Sequence, residues 1–262
     1  MTPSNAAGHP PFFRRIFGVW YRHFRVYTKN LIPNGFPPFL EPLIFLSAIG
    51  LGLGKYITEM DGVPYIQFLA SGLLVTAAMW TAAFECSYGT FIRMEFDKTY
   101  YGMLAAPMTA SDLLIGEILW AGSKGFFFST AVLTVITLFG ILSPILFTVT
   151  PLIGLLTGMM FATFSLLITS FVSDINQFNF YFTGLISPMF FFSGVVFTLD
   201  RLPRFMQIFA EMLPLTHVVR LVRACCLYGW SRTVLLDLGY VALFTTVIGY
   251  LAIRRLKHKL VQ

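Results

Sequence analysis

Long apolar runs dominate this chain, and short segments that carry most of its charges separate them. Because a bilayer span needs roughly 20 mostly apolar residues, the pattern predicts transmembrane helices. Six are expected, over 39–56, 65–91, 114–139, 144–172, 178–197 and 234–254. The alternation typical of outer-membrane strands is absent. The pattern therefore predicts an all-α integral membrane protein.

Composition supports the membrane class. The chain is 56% hydrophobic and 11% charged, whereas soluble domains carry about 25% charged residues. No shift in composition marks a domain boundary, so we expect one transmembrane domain over 39–254, between a cytoplasmic N-terminus, 1–38, and a basic cytoplasmic tail, 255–262. Residues 1–11 lack the features of a cleavable signal, so the first span is expected to direct insertion.

Basic residues are concentrated at the two ends of the chain, and the net charge of +6 indicates topology rather than nucleic-acid binding. Since cytoplasmic flanks are enriched in lysine and arginine, both termini are expected in the cytoplasm, which agrees with an even number of spans. The segment 200–232 is also basic and opposes this scheme. We place it outside because the termini are more strongly basic.

Residues 12–29 have the pattern of an amphipathic helix at the membrane interface. Its apolar side comprises Phe13, Ile16, Phe17, Trp20, Phe24 and Tyr27. Its basic side comprises Arg14, Arg15, Arg22, Arg25 and Lys29. Such a helix can simply anchor the chain in membrane lipids, or it can also offer a docking surface to a cytoplasmic partner.

A second amphipathic segment lies between spans two and three. Pro107 disfavours a helix at the residue before it, so we expect a short surface helix over 98–106. Thr109 or Ser111 can cap the next helix, and Asp112 suits its first turn. The apolar side of the short helix would comprise Tyr100, Met103 and Leu104. The segment is either a plain loop helix or an element that a partner pushes from outside the bilayer.

Two more short helices are predicted before the last span. Pro203 and Pro214 bracket the first, 204–213, and the second, 216–228, ends at Gly229. Neither is long enough to cross the bilayer. Because irregular backbone at membrane depth is tolerated only in a protein interior or beside a wet cavity, these helices are expected to line an exit path.

Among the charged residues inside predicted spans, three are candidates for function, namely Glu85, Glu117 and Lys124. Charges at membrane depth are costly and are candidates for function. Glu85 and Lys124 lie on adjacent antiparallel spans and are expected to pair. The pair is either structural, with each charge neutralising the other, or a polar contact for the hydrophilic part of a substrate.

Aromatic residues of span five and two arginines after it are candidates for a translocation path: Phe180, Tyr181, Phe190, Phe191, Phe192, Arg220 and Arg223. Aromatic faces stack on sugar rings, but they also pack well against lipid and other helices. The arginines, three apart on one helix face, can hold a headgroup or a phosphate. Alternatively, they extend to the outer interface.

No catalytic or metal-binding pattern accompanies these residues. The glycine-rich run 50–55 is not a P-loop, because Ile49 stands where the first glycine is required and Tyr56 replaces the Ser/Thr that would hold magnesium. We therefore expect no cofactor and no metal on this chain. An intramembrane acyl- or glycosyltransferase would need the missing catalytic groups, and a passive channel or scaffold would not need the helix expected at 98–106.

Several of these features together resemble the ABC-2 type permeases, the membrane halves of ABC exporters. They are the basic N-terminal helix, the break Met103-Leu104-Ala105-Ala106-Pro107 and the motif Leu213-Pro214-Leu215-Thr216-His217. Within that family the chain is most similar to the NodJ-type permeases, which export lipo-chitooligosaccharide nodulation factors. The resemblance covers nearly the whole chain, and its motifs are more specific for the superfamily than for one cargo.

The resemblance implies a homodimeric half-transporter of the bacterial inner membrane that pairs with two copies of a separate ATPase subunit. ATP and magnesium would bind on that partner, and the cargo would be an amphipathic lipid-linked or acylated oligosaccharide. The short helix would be the coupling helix, with its ATPase contact at Tyr100, Tyr101, Met103, Leu104 and Pro107. Export of a drug or a polysaccharide is the alternative within the family.

Overall fold

The computed structural model describes residues 10–229 and 232–261, most of them helical. The helices are α1 (Phe12–Lys29), α2 (Leu31–Gly35), α3 (Pro37–Phe45), α4 (Tyr65–Phe84), α5 (Thr99–Leu104), α6 (Ala110–Leu138), α7 (Thr150–Phe171), α8 (Phe178–Tyr181), α9 (Ser187–Phe192), α10 (Arg204–Met212), α11 (Pro214–Arg223) and α12 (Arg232–Val261). A short antiparallel hairpin of β1 (Glu59–Met60) and β2 (Val63–Pro64) precedes α4. Residues 1–9 of the expected cytoplasmic N-terminus and Gln262 of the expected tail lie outside the described residues.

Wider π-helical turns extend several of these helices. Leu46–Leu51 continues α3, and Phe182–Ile186 joins α8 to α9. Glu85–Gly89 and Ile92–Phe96 prolong α4, so the helix runs without a break over Tyr65–Phe96. Ala224–Tyr228 continues α11 in the same way.

Within the described residues, four helices are long and apolar enough to cross a membrane: Tyr65–Phe96, Ala110–Leu138, Thr150–Phe171 and Arg232–Leu260. A fifth crossing results if α10 and α11, bent by 90° at Leu213, count as one broken span. The prediction of an all-α, multi-pass protein is confirmed. The count of six is not confirmed, because the first and fifth predicted spans correspond to helical stretches 37–51 and 178–192, which are shorter than the roughly 20 residues a span needs.

Two span boundaries differ from the prediction, one near an arginine and one near a glycine. The second span continues past Phe91 to Phe96, and Arg93 within this extension points into the protein rather than into a loop. The fifth ends at Phe192 instead of Phe197. Gly194 follows with a φ of +81°, which favours glycine and breaks the helix.

Close packing of α6 against α7 depends on glycine. A Cβ on Gly158 would lie 2.9 Å from the carbonyl oxygen of Ala121 and 3.0 Å from the Cα of Gly122. Both neighbours are backbone atoms and cannot rotate away. Small residues at such a crossing let two membrane helices approach closely, and the gain is van der Waals contact.

Replacing Gly158 by leucine should therefore force α6 and α7 apart. We expect a loss of about 1–3 kcal/mol or more in the free energy of unfolding, since overpacking a close contact costs that much. Denaturant unfolding in detergent would measure it. Gly239→Leu is the matched control, because a Cβ on Gly239 of α12 meets no atom within 4 Å. Equal stability of the two variants would contradict the tight crossing.

The bundle has two distinct ends, and the C-terminus of α12 lies at the same end as the α4–α6 connection. Lys259 Nζ donates to the carbonyl oxygen of Val172 at 2.7 Å, and it lies 3.9 Å from Glu95 Oε1. Arg15 of α1 lies 2.9 Å from Asp112 Oδ2. Both chain ends thus meet the ends of α4, α6 and α7, and we call this the basic end.

Candidate functional site

Five ionisable side chains meet where α1, α4 and α6 come together; the charge cluster comprises His23, Glu85, Arg93, Glu117 and Lys124. Arg93 donates from Nη1 to Glu85 Oε1 and from Nη2 to Glu117 Oε2, each at 2.8 Å. Lys124 Nζ donates to Glu85 Oε2 at 2.8 Å, and His23 Nε2 lies 2.8 Å from Glu117 Oε1. The predicted pairing of Glu85 with Lys124 is present, as one part of this larger network.

The π-helical turn after α4 helps to assemble the charge cluster. In a regular α-helix, residues eight apart differ by about 80° around the axis. The wider turn Glu85–Gly89 reduces the rotation per residue, which returns Glu85 and Arg93 toward one face. Gly89 leaves room for the guanidinium, since a Cβ there would lie 3.2 Å from Arg93 Nη1.

The charge cluster is electrically balanced when His23 is neutral, because two carboxylates face two cations. His23, Glu85 and Glu117 offer ligand atoms within 4.8 Å of one another, a spacing that a metal ion could use. However, Arg93 and Lys124 already neutralise both carboxylates. A divalent ion would add buried positive charge without a partner, so we assign the cluster to ion pairing.

Two members of the charge cluster, Arg93 and His23, were not predicted from the sequence. Arg93 lies beyond residue 91, the predicted end of span two, and His23 lies in the predicted amphipathic helix over 12–29 but was assigned to neither of its sides. His23 was detectable, because it follows Ile16 and Val19 at helical spacing, and these three residues form the buried face of α1. The signal for Arg93 was its position eight residues after a charge inside a span.

Helix α1 lies along the first half of α6, with its basic and aromatic sides still exposed in part. Trp20 Nε1 donates to Ser123 Oγ at 2.9 Å, and a Cβ on Gly116 would collide with Val19. Phe13, Arg14, Phe17 and Phe24 are exposed, while Arg15, Trp20 and Arg22 are half-buried. The helix therefore binds the bundle through one face and leaves another for lipid or a partner.

Helix α5 is the predicted short surface helix, and it has a buried and an exposed side. Thr109 caps the following helix through a capping box with Asp112, whose Oδ2 accepts from the Thr109 backbone N–H at 2.8 Å. Tyr100 is fully buried, and its hydroxyl donates to Thr90 Oγ1 at 3.4 Å. Burial raises the pKa of Tyr100 well above its ordinary value, so the phenol stays protonated.

The apolar side of α5 packs in part against the bundle itself. Met103 and Leu104 are half-buried against the core of the bundle. The exposed side of α5 and the turn after it comprises Tyr101, Gly102, Ala105, Ala106 and Pro107. A partner at this end of the molecule would meet small residues and one tyrosine ring.

Aromatic rings of α4 and of the 178–192 stretch form a stacked ladder. Phe84 and Phe182 have ring centres 4.3 Å apart, and Trp80 and Tyr88 stack on the same Phe182 ring at 5.9 and 5.5 Å. Tyr181, a predicted path residue, is buried, and its hydroxyl lies 2.7 Å from Ser165 Oγ. Phe180 and Phe191 are exposed, while Phe190 and Phe192 are half-buried.

Two adjoining cavities lie beside this ladder. The first, about 350 Å³, is mostly apolar and is lined in part by Phe45, Leu73, Phe190 and Phe191. The second, about 520 Å³, is lined in part by Thr81, Phe84, Glu85 and Lys124. Both are also lined by Ala77, Trp80 and Phe128, and we call them the apolar and the charged cavity.

A second ionic group joins α10, α11 and α12 away from the basic end. Arg220 donates to both carboxylate oxygens of Glu211, at 2.7 and 2.8 Å, and to Asp237 Oδ1 at 2.8 Å. His217 Nδ1 lies 2.7 Å from the same Asp237 oxygen, with the Tyr240 ring stacked on it at 3.7 Å. Asp237 and Tyr240 were not predicted as site residues, because both fall inside the apolar run expected to form the last span.

Arg223, the other predicted arginine, is buried without a carboxylate within ion-pair distance among the described residues. Its guanidinium lies 3.6 Å above the Phe68 ring, and Nη2 donates to the Val195 carbonyl oxygen at 3.1 Å. A ring face and a carbonyl oxygen both stabilise a buried guanidinium. Arg223 thus ties α11 to α4, and Arg220 is committed to Glu211 and Asp237.

Sequence comparison with known proteins matches the chain to one family. A sequence profile described as ABC-2 type transporter matches residues 14–227. The chain is 33% identical over 244 residues to Nodulation protein J of Sinorhizobium fredii, with 92% of each chain covered. It is 33% identical over 244 residues to Nodulation protein J of Rhizobium leguminosarum bv. viciae, covering 93% of this chain and 94% of the relative. Inner membrane transport permease YadH of Escherichia coli is 22% identical over 200 residues, or 76% of each chain.

Proposed function

Because this chain belongs to the ABC-2 type transporter family, we propose that it moves an amphipathic lipid-linked or acylated oligosaccharide out across the bacterial inner membrane. It is a multi-pass transport permease and not an enzyme, and permeases of this family work with an ATPase subunit. The similarity to Nodulation protein J over 92% of the chain supports this cargo class. The family assignment replaces the intramembrane transferase considered from the sequence.

The basic end is the cytoplasmic end in this proposal. It contains Arg14, Arg15, Arg22 and Arg25 on α1 and Arg254, Arg255, Lys257 and Lys259 on α12. Positive charge of this density favours the cytoplasm. Although each is shorter than a regular span, the stretches 37–51 and 178–192 would be the fifth and sixth crossings in this proposal, and the bent pair of α10 and α11 would be the re-entrant element on the outer side.

The proposed contact with the ATPase is on the exposed side of α5, and this exposure is the main observation in its favour. It lies at the basic end, where a cytoplasmic subunit has access, and small side chains there permit close approach. Its buried Tyr100 touches Thr90, one turn from Arg93 of the charge cluster. Movement of α5 is therefore transmitted to α4 and α6. Two copies of this chain would bind two ATPase subunits, which hold ATP and magnesium.

The proposed cargo class is tested by comparing the saccharides in extracts from cells with and without this protein. We expect an amphipathic saccharide to disappear from the medium and outer surface and to be retained in the inner membrane. Restoration should require both this chain and an ATPase partner with an intact nucleotide site. Unchanged saccharide export would contradict the proposed cargo, and altered drug resistance instead would favour the drug-export alternative.

A further inference from the structure

The charged and apolar cavities together have the form of a binding site for one amphipathic molecule. They share Ala77, Trp80 and Phe128, so a ligand in one reaches the other. With volumes of about 350 and 520 Å³, both fall within the usual range for small-molecule sites. We propose that the charged cavity holds an uncharged sugar head and the apolar cavity holds the attached hydrocarbon chain.

The need for a polar occupant follows from the position of the ion pair. Lys124 stands midway along α6, a helix long enough to cross the bilayer. The side chains of Lys124 and Glu85 are nevertheless 15% and 14% exposed, and both line the charged cavity. Charges exposed to hydrocarbon at this depth are costly. Water or a polar head in the cavity removes that cost.

Charge complementarity selects a neutral head. Glu85 and Lys124 cancel each other, and Arg93 and Glu117 behind them also balance. An anionic head would approach two carboxylates, and a cationic head would approach two cations. Hydroxyl groups avoid both penalties, because Lys124 has three donors and a carboxylate has about four acceptor positions. Among the described residues, hydrogen bonds from Lys124 and Arg93 use only one of the lysine's donors and two of the acceptor positions of Glu85.

Aromatic walls make the sugar assignment more specific. Trp80 and Phe128 flank both cavities, and the Phe84 ring, nearly half exposed, borders the charged one. Flat aromatic faces offer large contact area beside a polar group. On the other side of Trp80, the apolar cavity continues between Phe45, Leu73 and Phe190. The head therefore lies toward the basic end and the chain away from it.

This inference rests on the proposed function, since it assigns the place where the oligosaccharide cargo is first bound. In that orientation the head enters from the cytoplasmic leaflet with its chain still among lipid tails. Arg93 connects the head site to α5 through Thr90 and Tyr100. The same charge cluster would thus hold the cargo and receive the movement of the coupling helix.

Binding of dodecyl maltoside to the protein in lipid nanodiscs tests the proposal. We expect saturable binding that dodecyl phosphocholine, with the same chain, displaces about tenfold less well, and that maltose alone does not displace. Ala77→Trp should abolish the saturable binding by filling the junction of the two cavities. Lys124→Met should weaken it about tenfold, while Lys257→Met, on an exposed part of α12, should not change it.

Equal displacement by dodecyl phosphocholine would overturn the sugar head, because a chain cavity alone does not discriminate between heads. Unchanged binding in Ala77→Trp, which leaves every charge in place, would overturn the location. Failure here with intact ATP-dependent export would refute this site and leave the transporter function standing. Binding here without any ATPase complex or export would refute the proposed function instead.

Discussion

Replacement of Arg93 by glutamine is expected to destabilise the protein by about 3–5 kcal/mol, the cost of breaking a buried ion pair by removing one partner. Glu117 is fully buried, and the Arg93 guanidinium forms an ion pair with it, with Nη2 at 2.8 Å from Oε2. Glu85 would lose one of its two cations as well. The loss would be measured as a lower denaturant midpoint in detergent and as less folded protein in the membrane.

Two companion variants separate this mechanism from a general loss of packing. Glu117→Gln combined with Arg93→Gln should recover much of the stability, because no unpaired buried charge remains. Arg25→Gln, on an exposed part of α1, should change stability by less than about 0.5 kcal/mol. If the double variant is as unstable as the sum of its single variants, the pairing of Arg93 with Glu117 does not carry the effect.

Replacement of Gly102 by tryptophan is expected to uncouple the permease from its ATPase without unfolding it. A Cβ on Gly102 meets no atom within 4 Å, so the chain itself accommodates the change, whereas a partner seated closely on α5 could not. We expect co-purification of the ATPase and cargo-dependent hydrolysis to fall at least about tenfold, equivalent to about 1.4 kcal/mol of binding energy.

A graded series makes this result specific. Gly102→Ala should retain coupling and stabilise the short helix by up to about 1 kcal/mol, since glycine is a poor helix former. Ser173→Trp places the same bulk at another exposed point of the basic end and should leave hydrolysis unchanged. Normal coupling in Gly102→Trp would move the ATPase contact elsewhere. Charged substitutions at Met103 or Leu104 are less informative, because these side chains are half-buried in the bundle.

Hydrophobic runs were sufficient to locate the main helices. The predicted starts near Tyr65 and Leu114 and the predicted last span over 234–254 correspond to α4, α6 and α12. Local chemistry was equally informative at the cap by Thr109 and at the break by Pro214, because both act on the backbone beside them. The family resemblance drawn from these elements is confirmed by the profile match over 14–227.

The pattern of hydrophobic and polar residues could not predict which distant residues contact each other. The direction of Met103 and Leu104 could not be read from α5, since an apolar side fits the chain's own core as well as a partner. Tyr181 is an aromatic residue of the kind expected to line a translocation path, but it is buried against Ser165. In both cases the sequence shows that a side chain is apolar or aromatic, and only its neighbours decide what covers it.

The sequence by itself determined an all-helical membrane chain, its main spans, its amphipathic ends and the short helix before α6. These follow from hydropathy and from residues that act on their own backbone. Only the tertiary structure decided that Arg93 and His23 join Glu85, Glu117 and Lys124, and that two cavities adjoin this cluster. Charge pairing at membrane depth depends on which helices pack together, and residues 24 positions apart, such as Arg93 and Glu117, become partners only through that packing.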